Sequence, residues 1–361
     1  MSHQATETEA FVARLSHQPE TLIQAMITIS DPPGPLVTLQ IQDRQSSLGA
    51  LDGLPPELVH EVLDHLDVRS LTRFSQTCCQ AQRVVESLSS YRNLLSHAPD
   101  ALAALSGIKA IHLHSISQLH AVLRSPRCET CPEYGAFLFL PTCDRACWQC
   151  LQFRKERLVV PIGVARKALA LTDDPEKFHM MTSIPGRYGI RQLEYGYGPL
   201  SVPSILVAVA HAMELAISKH GSVERLRKSL SQQAITGPGA HSAKKLRDLL
   251  WFDGYFDANL VPDVGSSLVG RYFGRASIRF PSLMGSDKIE YGHWCRGCQW
   301  MDDQRHRLPA DVLAQIVPAD VDPDRELLRM ARIAYSKAGF LEHIQHCYGA
   351  QRLKSEPDEE P

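Results

Sequence analysis

Two cysteine pairs, Cys128-x-x-Cys131 and Cys147-x-x-Cys150, stand 15 residues apart in CETCPEYGAFLFLPTCDRACWQC, residues 128–150. No other stretch restricts the fold as much. A two-residue gap turns the backbone tightly enough to aim both sulfurs at one point. Two such knuckles supply the four thiolates of a tetrahedral zinc site. The AFLFL run between them suits a short strand. Cys143 is a fifth thiol in this window and allows an alternative frame in which it replaces Cys147. The competing uses of such cysteines are a disulfide pair in a secreted protein and buried free thiols. The opening MSHQATETEAFVARLSHQPE carries neither the basic nor the apolar region of a secretory signal. Ten cysteines in that setting point to a reducing compartment, cytoplasmic or nuclear, where paired cysteines hold metal.

A second constellation lies near the other end. EYGHWCRGCQW provides a third knuckle, Cys295 and Cys298, and 44 residues separate it from His343 in FLEHIQHCYGAQRL. On a helix, His343 and Cys347 share a face, whereas His346 points about 100° away from Cys347. The expectation is two structural zinc ions, one bound by four cysteines and one by three cysteines and His343. With four protein ligands each, neither leaves the open position that a hydrolytic zinc requires.

The 361 residues suggest about two domains, enough chain to bury a core without disulfides. With 38 Lys and Arg against 40 Asp and Glu, there is no broad drive toward nucleic acid or anionic membrane. The most apolar stretch, Val202 to Ile217, is too short and polar to cross a bilayer and reads as a buried helix, extended to His220. Residues 1–47, with the SDPPGP cluster at Ser30–Pro35, read as largely unstructured. Order is expected from Leu51. Pro55 and Pro56 open a helix with Leu58, Val59, Val62, Leu63 and Leu66 on one face. Asp67 caps a second helix holding Leu71 and Phe74. A third, opened near Thr77, carries Val84, Val85, Leu88, Tyr91 and Leu95. Another helical piece spans Leu102–Leu123, and SIPGRYG (Ser183–Gly189) reads as a loop. His112, His114 and His120 have no metal partners at useful spacing and read as surface or satisfied structural groups. The fold class is therefore mainly α with minor β (α+β). The division reads as residues 1–47, a helical unit at 48–97, a zinc-stapled body at 98–353 and an acidic disordered tail at 354–361.

The segment from Leu51 to Leu95, with LPPELVHEVLDHL at its head, resembles an F-box. That resemblance implies docking onto the small Skp-type adaptor of a cullin ubiquitin ligase, through Leu54, Pro55, Leu58, Val59, Val62, Leu63, Leu66 and Leu71. The order of F-box, CxxC…CRACWQC, IPGRYG, RFPSL, WCRGC and FLEHIQHC is similar to the large set of F-box proteins of filamentous ascomycete fungi. One departure is visible: Pro132 stands where glycine is expected after the second cysteine, with Gly135 three residues later. The function implied is a non-catalytic substrate receptor presenting an unidentified target protein to the ligase.

Catalytic signatures fail. In HEVLDH the second histidine comes one residue late for a zincin, and no GxSxG elbow, P-loop or dinucleotide fingerprint occurs. A RING needs eight ligands in one compact stretch, and no leucine-rich, WD40 or kelch repeat is present. Asp302–Asp303 reads as a solvated loop pair. Two rival readings share these features: a zinc-dependent nucleic-acid binder using HWCRGCQWMDDQRHR (293–307), and an adaptor-bound scaffold outside any ligase.

Overall fold

A computed structural model describes residues 2–23, 26–28, 46–171, 183–190, 200–251, 274–285 and 287–355. The aliphatic spacing after Leu54 builds helices where their caps allow. Pro56 opens the helix Pro56–Asp64. The Asp67 carboxylate accepts from Ser70 N at 3.0 Å and caps the helix Val68–Ser75. The third expected helix is two, Cys79–Ser87 and Ser89–His97, divided at an extended Leu88. The bend lets Val85, Leu88, Tyr91 and Leu94 all enter one core, which a straight helix would spread around its circumference. The Ser90 hydroxyl donates to Asp64 and holds the new direction.

Helices Pro99–Gly107 and Ile116–Arg124 follow, the second opened by a Ser115/Gln118 capping box. They replace the single piece expected over Leu102–Leu123. Ile116 N donates to Leu66 O at 2.9 Å and Asp67 bridges Ser115, so packing does not break near residue 97. One apolar cluster runs from Val59 and Leu71 through Leu105 and Leu119 to Phe137, Cys147 and Trp294.

The body is mainly α with minor β. As the AFLFL run leads one to expect, Phe137–Phe139 is a strand, lying between Asp144–Ala146 and Ser277–Arg279 in an antiparallel sheet. Two other expectations fail together. Ser183–Ile190 is a strand and not a loop, and it pairs with Leu200–Ala208, the first half of the expected long helix. The helix begins only at Val209 and ends at His220. Pro203 cannot sit inside a helix, and Val202, Ile205 and Val207 favour extended backbone. The four-stranded order is Ile27–Thr28, Ser183–Ile190, Leu200–Ala208, Val159–Pro161. Helices Val209–His220, Val223–Gln232 and Ala240–Leu250 close a second cluster around Val207, Ala212, Leu226 and Leu246. None of the described helices is long and apolar enough to cross a membrane.

The expectation of a largely unstructured 1–47 does not hold for its first part. Ser2–Leu15 is a helix, and Ser16–His17 pairs antiparallel with His293–Cys295. Val12 and Leu15, three apart and so on one face, are buried with Cys295, Met301, Phe340 and Ile344. Arg14 donates to Leu353 O at 3.2 Å. Each of those two aliphatic side chains contributes about 1.5–3 kcal/mol when buried, before entropy is subtracted. The SDPPGP cluster and the tail from residue 356 lie outside the described residues.

Arg145 joins three parts of this architecture. It is almost fully buried, and its guanidinium donates to Val122 O (3.1 Å), Gly135 O (2.6 Å), Phe280 O (3.2 Å) and Pro281 O. Burial lowers its pKa to about 10, which still leaves it charged at neutral pH. Hydrogen bonds to a charged group contribute about 1.5–3 kcal/mol each, and the carbonyls left behind would be buried without donors. Arg145→Met should therefore destabilise the protein by more than about 3 kcal/mol. Thermal unfolding checks this, and an unchanged midpoint would remove Arg145 from this role.

Candidate metal centres

Cys128 and Cys131 sit in a loop closed by Cys128 N donating to Glu133 O at 2.9 Å, beneath a bridge between Arg127 and Tyr134. Cys147 is the N-cap of the helix Trp148–Phe153, and its Sγ accepts from Cys150 N at 3.4 Å. Glu129 N donates to Arg145 O at 2.9 Å and brings the two knuckles together. At Gly135, a Cβ would lie 2.3 Å from Arg145 Cγ, so only glycine lets that side chain pass. The four sulfurs lie within 4.8 Å of one another, with Cys131 and Cys147 3.5 Å apart. Cys143 is not among them. It is buried with a left-handed backbone (φ 57°), and the sulfurs that converge are those of the frame that uses Cys147.

The second quartet is Cys295, Cys298, His343 and Cys347. Cys295 ends a strand and Cys298 lies in the first turn of the helix Arg296–Asp303. His343 belongs to the helix Lys337–His346. Cys347 is not on that helix as expected; it is the extended C-cap residue between it and Tyr348–Ser355. The chain turns there and still delivers Cys347 Sγ to 3.8 Å from Cys295 and 3.7 Å from Cys298, while His343 Nε2 lies 3.2 Å from Cys298. The Tyr335 ring stacks on His343 at 4.4 Å. His346 is exposed and outside the group. A Cβ on Gly297 would fall 2.1 Å from Ala350 N, and one on Gly349 equally close to Gly297 O. Backbone touching backbone at this pair brings the last helix onto the knuckle.

Both quartets fit a tetrahedral ion. A zinc–sulfur bond of 2.3 Å implies sulfur–sulfur edges of about 3.8 Å. All ten cysteines are free, so neither quartet is a pair of disulfides. Burial holds the Cys131 thiol up at about 12. Hydrogen bonds with Cys128 and Cys150, then burial, push Cys147 above its ordinary value. In the second quartet, Cys298 rises through contact with Cys295 and Cys347, and then burial. Thiols packed this closely cannot all ionise alone; a divalent cation in their midst reverses the balance and displaces the protons.

The eight residues expected to face an adaptor fall into three groups. Leu54, Leu58 and Val62 are 40%, 47% and 53% exposed, and Pro55 is exposed beside them. Leu66 is half-buried. Val59, Leu63 and Leu71 lie inside the protein's own core, so they are removed from the docking set. Of the histidines read as inert, His120 bonds Asn93 at 3.0 Å, but His114 is buried with Nε2 unpartnered. Trp294, in the stretch weighed for nucleic acid, is buried and donates to Arg332 O at 3.2 Å. Asp302 is in a helix and buried, not in a solvated loop. Arg145, the Gly297–Gly349 contact and the burial of Asp302 carry no spacing signal in the sequence.

Elemental analysis of the reduced protein should return two zinc ions per chain, unchanged by Cys143→Ser. One zinc or none would remove one or both assignments. Gly297→Ala should cost at least about 1–3 kcal/mol through overpacking, and weaken retention of one of the two ions under a chelator.

No curated protein and no solved structure matches the chain. A family model does, over the segment that places Leu54, Leu58 and Val62 on the surface: residues 51–93 match the F-box domain, and the chain carries that domain.

Proposed function

We propose that this chain is a non-catalytic substrate receptor of a Skp–cullin–F-box ubiquitin ligase, similar in plan to the fungal proteins it resembles. The F-box docks the adaptor, the body presents a target protein, and other subunits perform the ubiquitin transfer. The chain contributes proximity and orientation. The two quartets hold structural zinc, and the protein acts in the cytoplasm or nucleus. The observation that carries this reading is the apolar strip of Leu54, Leu58 and Val62 within the F-box match. Leu58 and Val62 lie four apart on the helix Pro56–Asp64 and share a face that is left exposed among the described residues. Clustered exposed aliphatics of this kind mark a binding surface better than scattered single ones.

The buried and exposed halves of the ladder make a clean test. Leu58→Asp with Val62→Asp should abolish capture of the Skp-type adaptor while leaving the thermal midpoint nearly unchanged. Leu63→Ala should instead destabilise the fold by about 2–5 kcal/mol. Undiminished adaptor capture by the double variant would overturn the docking surface. Copurification of cullin with the adaptor distinguishes a ligase receptor from an adaptor-bound scaffold.

A further inference from the structure

A cavity of about 640 Å³ opens between the turn after His17 and the helices Arg296–Asp303 and Pro323–Arg332. Ligand pockets generally occupy about 300–1,000 Å³. His17, Glu20, Asp302, Asp303, Arg305 and Arg332 line it. None of them is a metal ligand, and the F-box lies elsewhere in the sequence.

Two features define what would fill it. The first is an acceptor without a donor. His17 Nε2 is buried and has no hydrogen-bond partner. The ring also bonds the Gln18 backbone in the sense that favours its charged form, as a ring N–H donating to a carbonyl does. Burial nevertheless holds the ring below its ordinary value and so neutral. In that tautomer Nε2 carries a lone pair and waits for a donor.

The second is the charge of the walls. Three carboxylates face two guanidiniums, and the neutral imidazole adds nothing. Asp302 is buried, and its ion pair with Arg305 is long at 3.8 Å. Gln299 donates to Asp303 at 2.9 Å, and its carbonyl faces Arg332 at 3.5 Å, which turns part of the Arg332 charge toward the wall. Glu20 and Asp303 remain exposed. An anion entering this space would meet a buried carboxylate and a bare acceptor. A cation with N–H donors complements the net charge of the walls and supplies the donor that His17 Nε2 lacks.

We propose that this cavity seats the basic side chain, arginine or lysine, of an extended segment of the target protein. The proposal rests on the receptor reading and names the chemistry by which a target is chosen. The guanidinium or ammonium donates to His17 Nε2, and its charge is balanced by Asp302 and Asp303. Glu20 adds attraction at longer range.

The test uses the full-length, zinc-loaded protein together with the adaptor. It is incubated with an immobilised library of random nine-residue peptides whose N-termini are acetylated. The expected result is enrichment of arginine or lysine at one position, at least fivefold over the input. The best peptide should then lose about tenfold in affinity with His17→Ala and with Asp303→Asn, while zinc content and adaptor binding stay unchanged. Enrichment of aspartate, glutamate or phosphoserine would overturn the proposal, as would no enrichment or indifference to both variants. Binding seen only in a parallel library with free N-termini would also overturn it, since the group recognised would then be the α-amine. Adaptor binding is read in the same samples. If it fails while basic peptides are still selected, the ligase reading falls and the pocket assignment stands.

Discussion

The buried guanidinium of Arg145 ties the loop of the first cysteine quartet to two other parts of the body. Its donors reach a carbonyl near the end of the helix Ile116–Arg124, one in the loop of the first cysteine pair, and two at the turn after Ser277–Arg279. A lysine would carry the charge but not the planar fork that spans carbonyls in different directions. Gly135 is the counterpart of this choice, because a side chain there would occupy the space of the Arg145 stem. The guanidinium also lies over the Phe280 ring, 4.8 Å from its centroid. The first cysteine quartet therefore stands on an arginine-centred scaffold that would position its loop even where the sulfurs alone left it free.

The second quartet depends on a different constraint, the joining of both ends of the chain. Ser16–His17 adds a strand beside Cys295, and the helix before it covers Met301 and Phe340. Ala334–Tyr335 pairs on the other side of the same strand. A knuckle of two cysteines in one short strand and turn is thus held by three strands and by the contact of Gly297 with Gly349. Metal ligation here would close a loop of about fifty residues, and loop closure of that length limits the unfolded chain substantially. Packing and ligation support the same geometry, which accounts for why His343 and Cys347 converge although a helix break separates them.

Spacing made some of this legible and packing hid the rest. The CxxC pairs, the His343–Cys347 interval and the Leu58–Val62 face are local patterns with one physical meaning, and the residues do come together in space. The strand at 183–190 was not legible, since Pro185 and two glycines read as a turn until the partner Leu200–Ala208 is known. Similarly, the helix Ser2–Leu15 is polar along most of its length, and only Val12 and Leu15 are needed once a complementary surface exists. Asp302 looks like half of a solvated acidic pair in sequence; burial, which sequence does not display, changes its meaning. Cys143 shows the converse, a cysteine that spacing alone could not exclude and that stands outside the converging group.

A receptor that orients its target needs a stiff path from the adaptor surface to the site of recognition. The apolar cluster that begins with Val59 and Leu63, beneath the exposed Leu58 and Val62, continues without a break through Leu119 and Phe137 to Trp294. Phe137 and Trp294 meet at 6.1 Å between ring centroids. Trp294 is paired across the strand ladder with His17, the residue whose bare Nε2 faces the cavity. One densely packed route therefore joins the two ends of the proposed activity. Packed interiors resist deformation, so a target held at His17 would keep a fixed direction relative to the adaptor. A flexible linker would instead spread it over many positions and dilute its effective concentration. Among the described residues no packing break falls near residue 97, as such a requirement would ask, and an F-box free to swing on its body would work against it.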